Sequence, residues 1–274
     1  MQSVKDRVVL ITGGASGIGR LMALDFAGRG ARVAVWDLDS RGLTVLEEEA
    51  RLAGFSLRGF VCDVSDRAAV YRQAEVLRAE LGPVDILVNN AGVVSGSTLL
   101  ETPDEKIEKT MQVNTMACFW TCKAFLPSMI ERNRGHLVII SSAAGLIGVR
   151  GLVDYSASKF AVFGLNEAVR MELGRLKSAV RTTVVCPFFV NTGMFQGVKT
   201  RFPLLLPILK SEYVARRIVR AVLKNRQRLI MPRFVYFVFF LRLCSTGIMD
   251  AIASFFGINY AMDDFTGRNS HVSK

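Results

Sequence analysis

The sequence predicts an α/β fold, a doubly wound parallel sheet with helices on both faces, in one domain spanning residues 1–274. Short apolar runs alternate with longer amphipathic segments, which is the order of strands and helices in such sheets. A glycine-rich turn follows the first apolar run, and polar clusters follow several later runs. Ligands of open parallel sheets bind beyond the carboxyl ends of the strands, so the clusters predict one site at that edge.

The individual elements follow from their hydrophobic periodicity. Short apolar runs predict six strands, at residues 8–11, 32–36, 56–62, 84–88, 137–140 and 181–185. Helical spacing predicts one helix directly after the glycine-rich turn and others at residues 40–53, 67–81, 105–132 and 153–173. Pro127 could break the helix at residues 105–132. No repeat or linker divides the chain, and residues 199–274 form a basic, apolar C-terminal extension of the same domain.

The composition narrows the classes of protein. The net charge of +11 favours an anionic partner, either a nucleotide, a membrane surface or nucleic acid. Five cysteines without a Cys-x-x-Cys pair indicate free thiols in a reducing compartment. His136 and His271 are the only histidines, which argues against a Ser-His-Asp hydrolase and a zinc site, so we expect no metal. The polar N-terminus predicts neither a signal peptide nor an anchor, and hence a cytoplasmic location.

The turn after the first strand has the chemistry of a phosphate-binding loop. Its sequence is Thr12-Gly13-Gly14-Ala15-Ser16-Gly17-Ile18-Gly19. Glycine allows the unusual dihedral angles of such a turn and lets the backbone approach a pyrophosphate closely. The following helix offers free N–H groups and its positive dipole end to phosphates. We therefore expect a dinucleotide to contact Gly13, Ser16, Gly17, Ile18 and Gly19; the alternative is a tight turn without a ligand.

Acidic residues follow the second and third strands. Asp37 lies about 20 residues beyond the glycine-rich turn, where a carboxylate would bond the ribose hydroxyls of adenosine. A 2′-phosphate would be repelled by Asp37 and Asp39, which favours NAD over NADP; the alternative is that Asp37 only caps the next helix. Asp63, which precedes Val64, could bond the adenine amino group. These acids predict an NAD site at the same edge of the sheet.

A tyrosine and a lysine four residues apart are the predicted reactive residues. On a helix, Tyr155 and Lys159 lie on one face, and the lysine charge would lower the tyrosine pKa from its usual value of about 10. Ser142 ends the fifth strand, and a loop could bring its hydroxyl to Tyr155 at the sheet edge. Alone, the Tyr-x-x-x-Lys spacing could equally belong to an ordinary helix, and Asn114 to a packing or surface position.

Together these motifs resemble the short-chain dehydrogenase/reductase family. The matching motifs are Thr12-Gly13-x-x-x-Gly17-x-Gly19, Asn89-Asn90-Ala91-Gly92, Asn114, Ser142 and Tyr155-x-x-x-Lys159. The resemblance covers nearly the whole chain. It implies a single Rossmann-type domain that transfers a hydride between a nicotinamide cofactor and an alcohol or carbonyl.

The resemblance also implies a role for each site residue. Tyr155 would be the acid/base, Ser142 would hold the substrate oxygen, and Lys159 would lower the Tyr155 pKa and bond the nicotinamide ribose. Asn114 would position a water that passes protons from Lys159 to solvent. Further cofactor contacts would come from Asn90, Ala91, Gly92, Pro187, Val190 and Thr192. A homodimer or tetramer would form through the long helices that carry Asn114 and Tyr155.

One departure follows the sixth strand, where many family members have Pro-Gly and this chain has Pro187-Phe188. We therefore expect Phe188 to wall an apolar substrate pocket. The next segment is crowded with apolar side chains that are expected to form a lid, although they could instead be core or a subunit interface. These residues are Met194, Phe195, Phe202, Leu204, Leu205, Leu206 and Leu209.

Three C-terminal segments resemble a subgroup that includes epidermal retinol dehydrogenases and lipid-droplet 17β-hydroxysteroid dehydrogenases. They are residues 211–215, 231–234 and 262–268. The subgroup implies a lipophilic alcohol, such as a retinoid or a steroid, as the substrate. The alternatives are an NADP-dependent carbonyl reductase and a catalytically idle NAD-binding scaffold at a membrane surface.

Most of the net positive charge lies towards the C-terminus. Residues 199–242 contain eleven lysines or arginines and one acid, Glu212. The apolar run at residues 235–241 is much shorter than the roughly 20 residues of a spanning helix. The segment could lie peripherally on an anionic membrane or lipid-droplet surface, or form a core strand and helix with a solvated basic face. Nucleic-acid binding is the weakest interpretation, because no recognised motif accompanies the charge.

Overall fold

A parallel sheet of seven strands lies at the centre of the molecule, in a computed structural model that describes residues 3–267. In chain order the strands are β1 Val8–Thr12, β2 Arg32–Asp37, β3 Leu57–Val61, β4 Ile86–Asn89, β5 His136–Ile140, β6 Arg181–Pro187 and β7 Arg228–Met231. Their order in the sheet is β3-β2-β1-β4-β5-β6-β7. The predicted doubly wound parallel α/β fold is therefore confirmed. Arg268 and His271 lie outside the described residues.

Helices cover both faces of the sheet. They are α1 Gly17–Gly28, α2 Ser40–Leu52, α3 Arg67–Leu81, α4 Asp104–Met111, α5 Ala117–Glu131, α6 Val153–Arg175, α7 Ser211–Leu223, α8 Phe237–Leu241 and α9 Thr246–Phe255. Because side chains alternate along a strand, Val9 and Ile11 pack with α1, α2 and α7, whereas Val8 and Leu10 pack with α3, α5 and α6. Strands that are buried on both faces are continuous apolar runs in the sequence. The strands could therefore be predicted from the sequence.

The site lies where the strand order reverses. The chain runs outward from β1 to β2 and β3, and then returns to β4 on the other side of β1. β1 pairs with both neighbours, with Ile11 opposite Val35 in β2 and Val88 in β4. The loops after β1 and β4 therefore diverge at the carboxyl edge and leave a crevice between them, the usual position of a ligand in an open parallel sheet.

The long helix expected at residues 105–132 is interrupted, but not at Pro127. A π-helical turn, Gln112–Met116, separates α4 from α5, and Pro127 lies inside α5, which continues to Glu131. The buried Asn114 sits in this turn and directs its side chain to the loop after β4. A proline inside a helix removes one backbone hydrogen bond, and the buried packing of α5 tolerates that loss.

The C-terminal region adds a strand and helices to the sheet. β7 extends the sheet through pairs such as Val184 with Arg228, and α7 packs beside α1 in the core. The core strand and helix that the sequence offered as one interpretation of this region are therefore present. The short helices α8 and α9 follow β7 and cover the carboxyl edge of the sheet. No helix within residues 3–267 is long and apolar enough to cross a bilayer.

Candidate active site

One cavity of about 310 Å³ runs along the carboxyl edge of the sheet. All but one of the predicted site residues line it. These are Gly13, Ser16, Gly17, Ile18, Gly19, Asp37, Asp63, Val64, Asn90, Ala91, Gly92, Ser142, Tyr155, Lys159, Pro187, Val190 and Thr192. The exception is Asn114, which lies behind the cavity wall. Residues from six separate loops thus converge on one space.

Two glycines of the glycine-rich turn, Gly13 and Gly19, have no room for a side chain. Gly13 has φ +63°, and a Cβ there would lie 2.7 Å from the Cα of Ala91. A Cβ on Gly19 would overlap the carbonyl oxygen of Gly13. The Asn90 Nδ2 donates to the carbonyls of Thr12 (2.9 Å) and Gly13 (2.8 Å), which fixes the turn. This cradle of bare backbone before the N-terminus of α1 fits a dinucleotide pyrophosphate.

Asp37 faces the glycine-rich turn from the end of β2. Its carboxylate accepts hydrogen bonds from the backbone N–H of Ala15 (2.9 Å) and of Asp39 (3.0 Å). The side chain is half-buried and lines the cavity. Asp37 is therefore placed where a carboxylate meets the adenosine ribose in dinucleotide-binding sheets. The cap of α2 is supplied by Asp39 instead, so the alternative role of Asp37 as that cap is wrong.

Asp63 has partners that the sequence did not suggest. Its carboxylate accepts from the backbone N–H (2.8 Å) and hydroxyl (2.6 Å) of Ser65, and its other oxygen lies 3.5 Å from the ammonium of Lys109. Burial alone would raise the Asp63 pKa, but the Ser65 hydrogen bonds and the Lys109 charge outweigh it and lower the pKa. Lys109, from α4, also lines the cavity, together with Trp36 and Leu38. Sequence reasoning missed Lys109, because α4 is distant from Asp63 along the chain.

Ser142 and Tyr155 are brought together as expected. Ser142 begins the short 3₁₀ turn after β5, where its Oγ accepts from the N–H of Ala144 at 3.1 Å. Tyr155 lies in the first turn of α6, close enough to Ser142 for the serine hydroxyl to lower the Tyr155 pKa, and the Ser142 Oγ also donates to the Pro187 carbonyl at 3.5 Å. Both side chains are buried. Two hydroxyl groups therefore converge on one point of the cavity wall, where a substrate oxygen could meet both.

Lys159 occupies the predicted face, but its electrostatic effect differs from the expectation. Its Nζ donates to the carbonyl of Ile140 at 3.0 Å and lies 5.5 Å from the centre of the Tyr155 ring. Burial raises the pKa of Tyr155 to about 12, although the Ser142 hydrogen bond lowers it. Burial also lowers the pKa of Lys159 to about 8. The lowered tyrosine pKa expected from sequence is not found, because the removal of Tyr155 from water raises its pKa by more than the Ser142 hydroxyl lowers it.

Asn114 holds the loop after β4 in place. Its Oδ1 accepts from the N–H of Val93 (2.8 Å), and its Nδ2 donates to the carbonyl of Val93 (2.9 Å) and to Ser158 Oγ (3.0 Å). A Cβ on Gly92 would lie 3.3 Å from Asn114 Oδ1 and 3.5 Å from Lys159 Nζ. Only the small Gly92 therefore separates Asn114 from the Lys159 ammonium, and the amide is neither a surface group nor a cavity wall.

Beyond Tyr155 the cavity is walled by apolar side chains. Phe188 is among them, as expected from its position after β6. The other residues are Ala143, Ala144, Ile147, Val149, Leu152, Phe189, Met194, Phe195, Leu206, Phe234, Val235, Phe237, Val238, Leu241, Ile252, Ala253, Phe256 and Ile258. The residues of α8 and α9 were not expected in the pocket from the sequence. The i, i+4, i+7 spacing of Phe234, Val238 and Leu241 was the available signal.

The lid expected after the sixth strand is only partly present. Met194, Phe195 and Leu206 line the cavity. Phe202 instead packs on Phe255 and Phe256, and Leu209 belongs to the core. Leu204 is 99% exposed, and Leu205 is also exposed. Four of the seven residues therefore do not line the pocket, because two are exposed, one packs against Phe255 and Phe256, and one lies in the core.

Comparisons with known proteins agree with this geometry. The family model described as short chain dehydrogenase matches residues 7–201. The chain is 47% identical over 276 residues to epidermal retinol dehydrogenase 2 of Homo sapiens, covering 99% of this chain and 89% of that protein. It is 46% identical over 273 residues to short-chain dehydrogenase/reductase family 16C member 6 of Bos taurus, covering 97% of this chain and 85% of that protein.

Solved structures show the same arrangement of the sheet. A short chain dehydrogenase/reductase from Burkholderia phymatum in complex with NAD has a TM-score of 0.80 and 27% identity, covering 89% of this chain and 95% of that one. A metagenomic short-chain oxidoreductase in complex with NADP has a TM-score of 0.70 and 28% identity, covering 83% of this chain and 97% of that one.

Proposed function

Because this chain belongs to the short-chain dehydrogenase family, we propose that it transfers a hydride between NAD(H) and a lipophilic alcohol or the corresponding carbonyl. The observation that carries the proposal is the position of Ser142 and Tyr155. Both side chains line the same cavity as the glycine-rich turn and the apolar wall. A cofactor at the glycine-rich turn and a lipophilic substrate at the apolar wall would meet at these two hydroxyls.

The glycine-lined part of the cavity would hold the cofactor. The backbone of the turn at residues 13–19 would receive the pyrophosphate, Asp37 the adenosine ribose and Lys159 the nicotinamide ribose. When bound, NAD supplies the hydride acceptor for alcohol oxidation. The backbone cradle supports this assignment, since a side chain at Gly13 or Gly19 would collide with neighbouring protein atoms and prevent the turn from forming.

The chain's own residues would handle the proton and the developing charge. In alcohol oxidation, Tyr155 would accept the proton of the substrate hydroxyl while Ser142 donates a hydrogen bond to the same oxygen. In carbonyl reduction, both hydroxyls would stabilise the negative charge that forms on oxygen. The Lys159 ammonium would favour the phenolate of Tyr155, and a water beside Asn114 would return protons from Lys159 to solvent.

Asp37 supports a preference for NAD over NADP. A carboxylate that already accepts two backbone N–H groups remains a hydrogen-bond acceptor, which suits ribose hydroxyls and repels a 2′-phosphate. The similar solved structures carry NAD in one case and NADP in the other, so the preference rests on this residue alone. Fluorescence titration with NADH and NADPH tests it, and tighter binding of NADPH would favour the alternative, an NADP-dependent carbonyl reductase.

The apolar part of the cavity supports a retinoid-like substrate. Its walls offer hydrocarbon and aromatic side chains, which suit a long or fused hydrocarbon body. Similar proteins are named retinol dehydrogenases, and a steroid alcohol is the second lipophilic class to be tested. NADH formation should be followed with retinol, a 17β-hydroxysteroid and simple alcohols. Absence of turnover with all of them, together with normal NAD binding, would favour the idle-scaffold alternative.

The outer faces of α8 and α9 are the proposed peripheral membrane or lipid-droplet contact. Phe240 on α8, Leu243 in the turn after it and Phe255 on α9 are 62%, 83% and 56% exposed, and the exposed Arg233 and Arg242 flank Phe240. Exposed aromatic and cationic side chains together favour an anionic interface. Flotation with anionic vesicles tests the contact. Phe240→Ser with Leu243→Ser should weaken it, and Val45→Ser with Leu52→Ser, which removes exposed apolar groups from α2, should not.

A homodimer or tetramer through α5 and α6 is the proposed assembly. Both helices carry exposed apolar side chains, Phe119 on α5 and Met171 on α6. Isologous pairing of such helices would bury these groups. Light scattering after size-exclusion chromatography measures the mass, and Met171→Glu should shift it towards the monomer.

A further inference from the structure

The far part of the cavity carries no polar side chain that could pair with a second substrate oxygen. Among residues 3–267, its walls beyond Ser142 and Tyr155 consist of hydrocarbon and aromatic groups and one thioether, from Met194. Polar side chains nearby face elsewhere. Asn259 Nδ2 donates to Ser254 Oγ at 2.8 Å, and neither residue lines the cavity.

The backbone of α8 and α9 supplies no ready substitute. α9 contributes Ile252 and Ala253 to the wall, and α8 contributes Phe237, Val238 and Leu241. Helical N–H and C=O groups bond to one another and are covered by side chains, so they are poor partners for a ligand. An oxygen brought against these walls would leave water without gaining a hydrogen bond from a side chain.

We infer that the substrate of this enzyme carries a single oxygen, the reacting one, on an otherwise hydrocarbon body. This inference rests on the proposed function and narrows its substrate class. A retinoid with one terminal hydroxyl meets the requirement, whereas a steroid with oxygens at both ends does not. Loss of one buried hydrogen bond corresponds to a discrimination of about tenfold to a hundredfold in kcat/KM.

A matched pair of substrates tests the inference directly. Retinol and 4-hydroxyretinol differ by one ring hydroxyl, at the end remote from the reacting alcohol. With NAD, we expect kcat/KM for 4-hydroxyretinol to be about tenfold to a hundredfold lower. Equal values within about twofold would overturn the inference and leave the proposed function intact. If neither retinoid nor any other alcohol is oxidised, the proposed function itself fails.

A polar group placed in the far wall should weaken the discrimination. Ile252→Asn adds an amide where Ile252 lines the cavity, and Ala251→Asn adds the same amide at an exposed neighbouring position on α9. In the first variant the retinol preference should shrink at least about threefold, because the amide can pair with the ring hydroxyl. In the second variant it should be unchanged. An equal change in both variants, or none in either, would contradict the inference.

Discussion

The ammonium nitrogen of Lys159 lies 5.5 Å from the centre of the Tyr155 ring, and both side chains are buried. Burial disfavours charge on each group, so the tyrosine pKa rises to about 12 and the lysine pKa falls to about 8. In the cofactor-free protein at neutral pH, Tyr155 is therefore a phenol and Lys159 remains largely protonated. The pair needs a further favourable interaction before the phenolate forms.

Alcohol oxidation should accelerate as the pH rises from about 7 to about 9, because Tyr155 must lose its proton to act as the base. The rate should rise and not fall with pH, because the raised tyrosine pKa keeps the phenol the dominant form throughout this range. The logarithm of kcat/KM should rise with a slope approaching one, and carbonyl reduction should not show this rise. Steady-state rates in both directions across pH measure the effect, and a flat oxidation profile would argue against Tyr155 as the base.

Tyr155→Phe should lower kcat by about 10²–10⁴-fold while leaving NADH affinity within about twofold, because only the acid/base hydroxyl is removed. Turnover and NADH fluorescence titration provide the two measurements. Tyr71→Phe, a change on α3 away from the cavity, is the control and should keep wild-type turnover. Wild-type kcat in the Tyr155 variant would remove this residue from the chemistry.

Asp37→Asn should weaken NAD binding by about tenfold and narrow the discrimination against NADP, because it removes the charge that repels a 2′-phosphate. The amide oxygen can still accept the hydrogen bond from the N–H of Ala15 and preserve the turn. Asp37→Ala loses that bond as well and should bind both cofactors more weakly. Titration with NADH and NADPH gives the ratio, and an unchanged ratio in Asp37→Asn would refute the ribose role.

Asn114→Ala should destabilise the protein by about 1–3 kcal/mol, because the buried amide satisfies both backbone groups of Val93 and the Ser158 hydroxyl. Urea unfolding measures the loss. Ser158→Ala removes only one of these bonds, together with that to the Tyr155 carbonyl, and should cost less. If Asn114→Ala is as stable as the parent, the amide does not hold the loop after β4.

Acid should destabilise the fold through His136. Burial lowers its pKa to about 3, whereas an unfolded histidine titrates near 6.5. The unfolded chain therefore binds one more proton below pH 6.5, and stability should fall by about 1.4 kcal/mol per pH unit as the pH drops towards the folded pKa.

Urea unfolding between about pH 6.5 and 5 measures the slope of stability against pH. His136→Gln, which keeps a polar partner for Thr183, should reduce that slope by about one proton. An unchanged slope would mean that another group titrates.

Local patterns were sufficient for most of the sheet and for the reactive residues. Strand β1 and helix α3 lie within one residue of their predicted bounds. Buried strands and amphipathic helices are predictable because their hydrophobic pattern is visible in consecutive residues. Tyr155 and Lys159 share a helix face by spacing alone, and Asp37 follows its strand at the expected distance. The resemblance to a known family then indicated that these motifs belong to one site.

Contacts between segments that are distant along the chain could not be predicted from local sequence patterns. Leu204, Leu206 and Leu209 are chemically alike, yet one is exposed, one lines the cavity and one lies in the core. Only the path of the chain after β6 assigns these environments. Similarly, the Asp63–Lys109 ion pair joins residues 46 positions apart, and no local signal connects them.

Sequence by itself determined the parallel sheet, the phosphate-binding turn and the identity of the reactive side chains, because each is encoded in spacing along a strand, turn or helix. Tertiary structure decided three other properties: the apolar wall from α8 and α9, the π-helical turn at Asn114 and the direction of the Tyr155 and Lys159 pKa shifts. The physical reason is that burial depends on which segments meet in space. Solvent exclusion at that meeting point, and not the spacing of the two residues, sets the charge state of the pair.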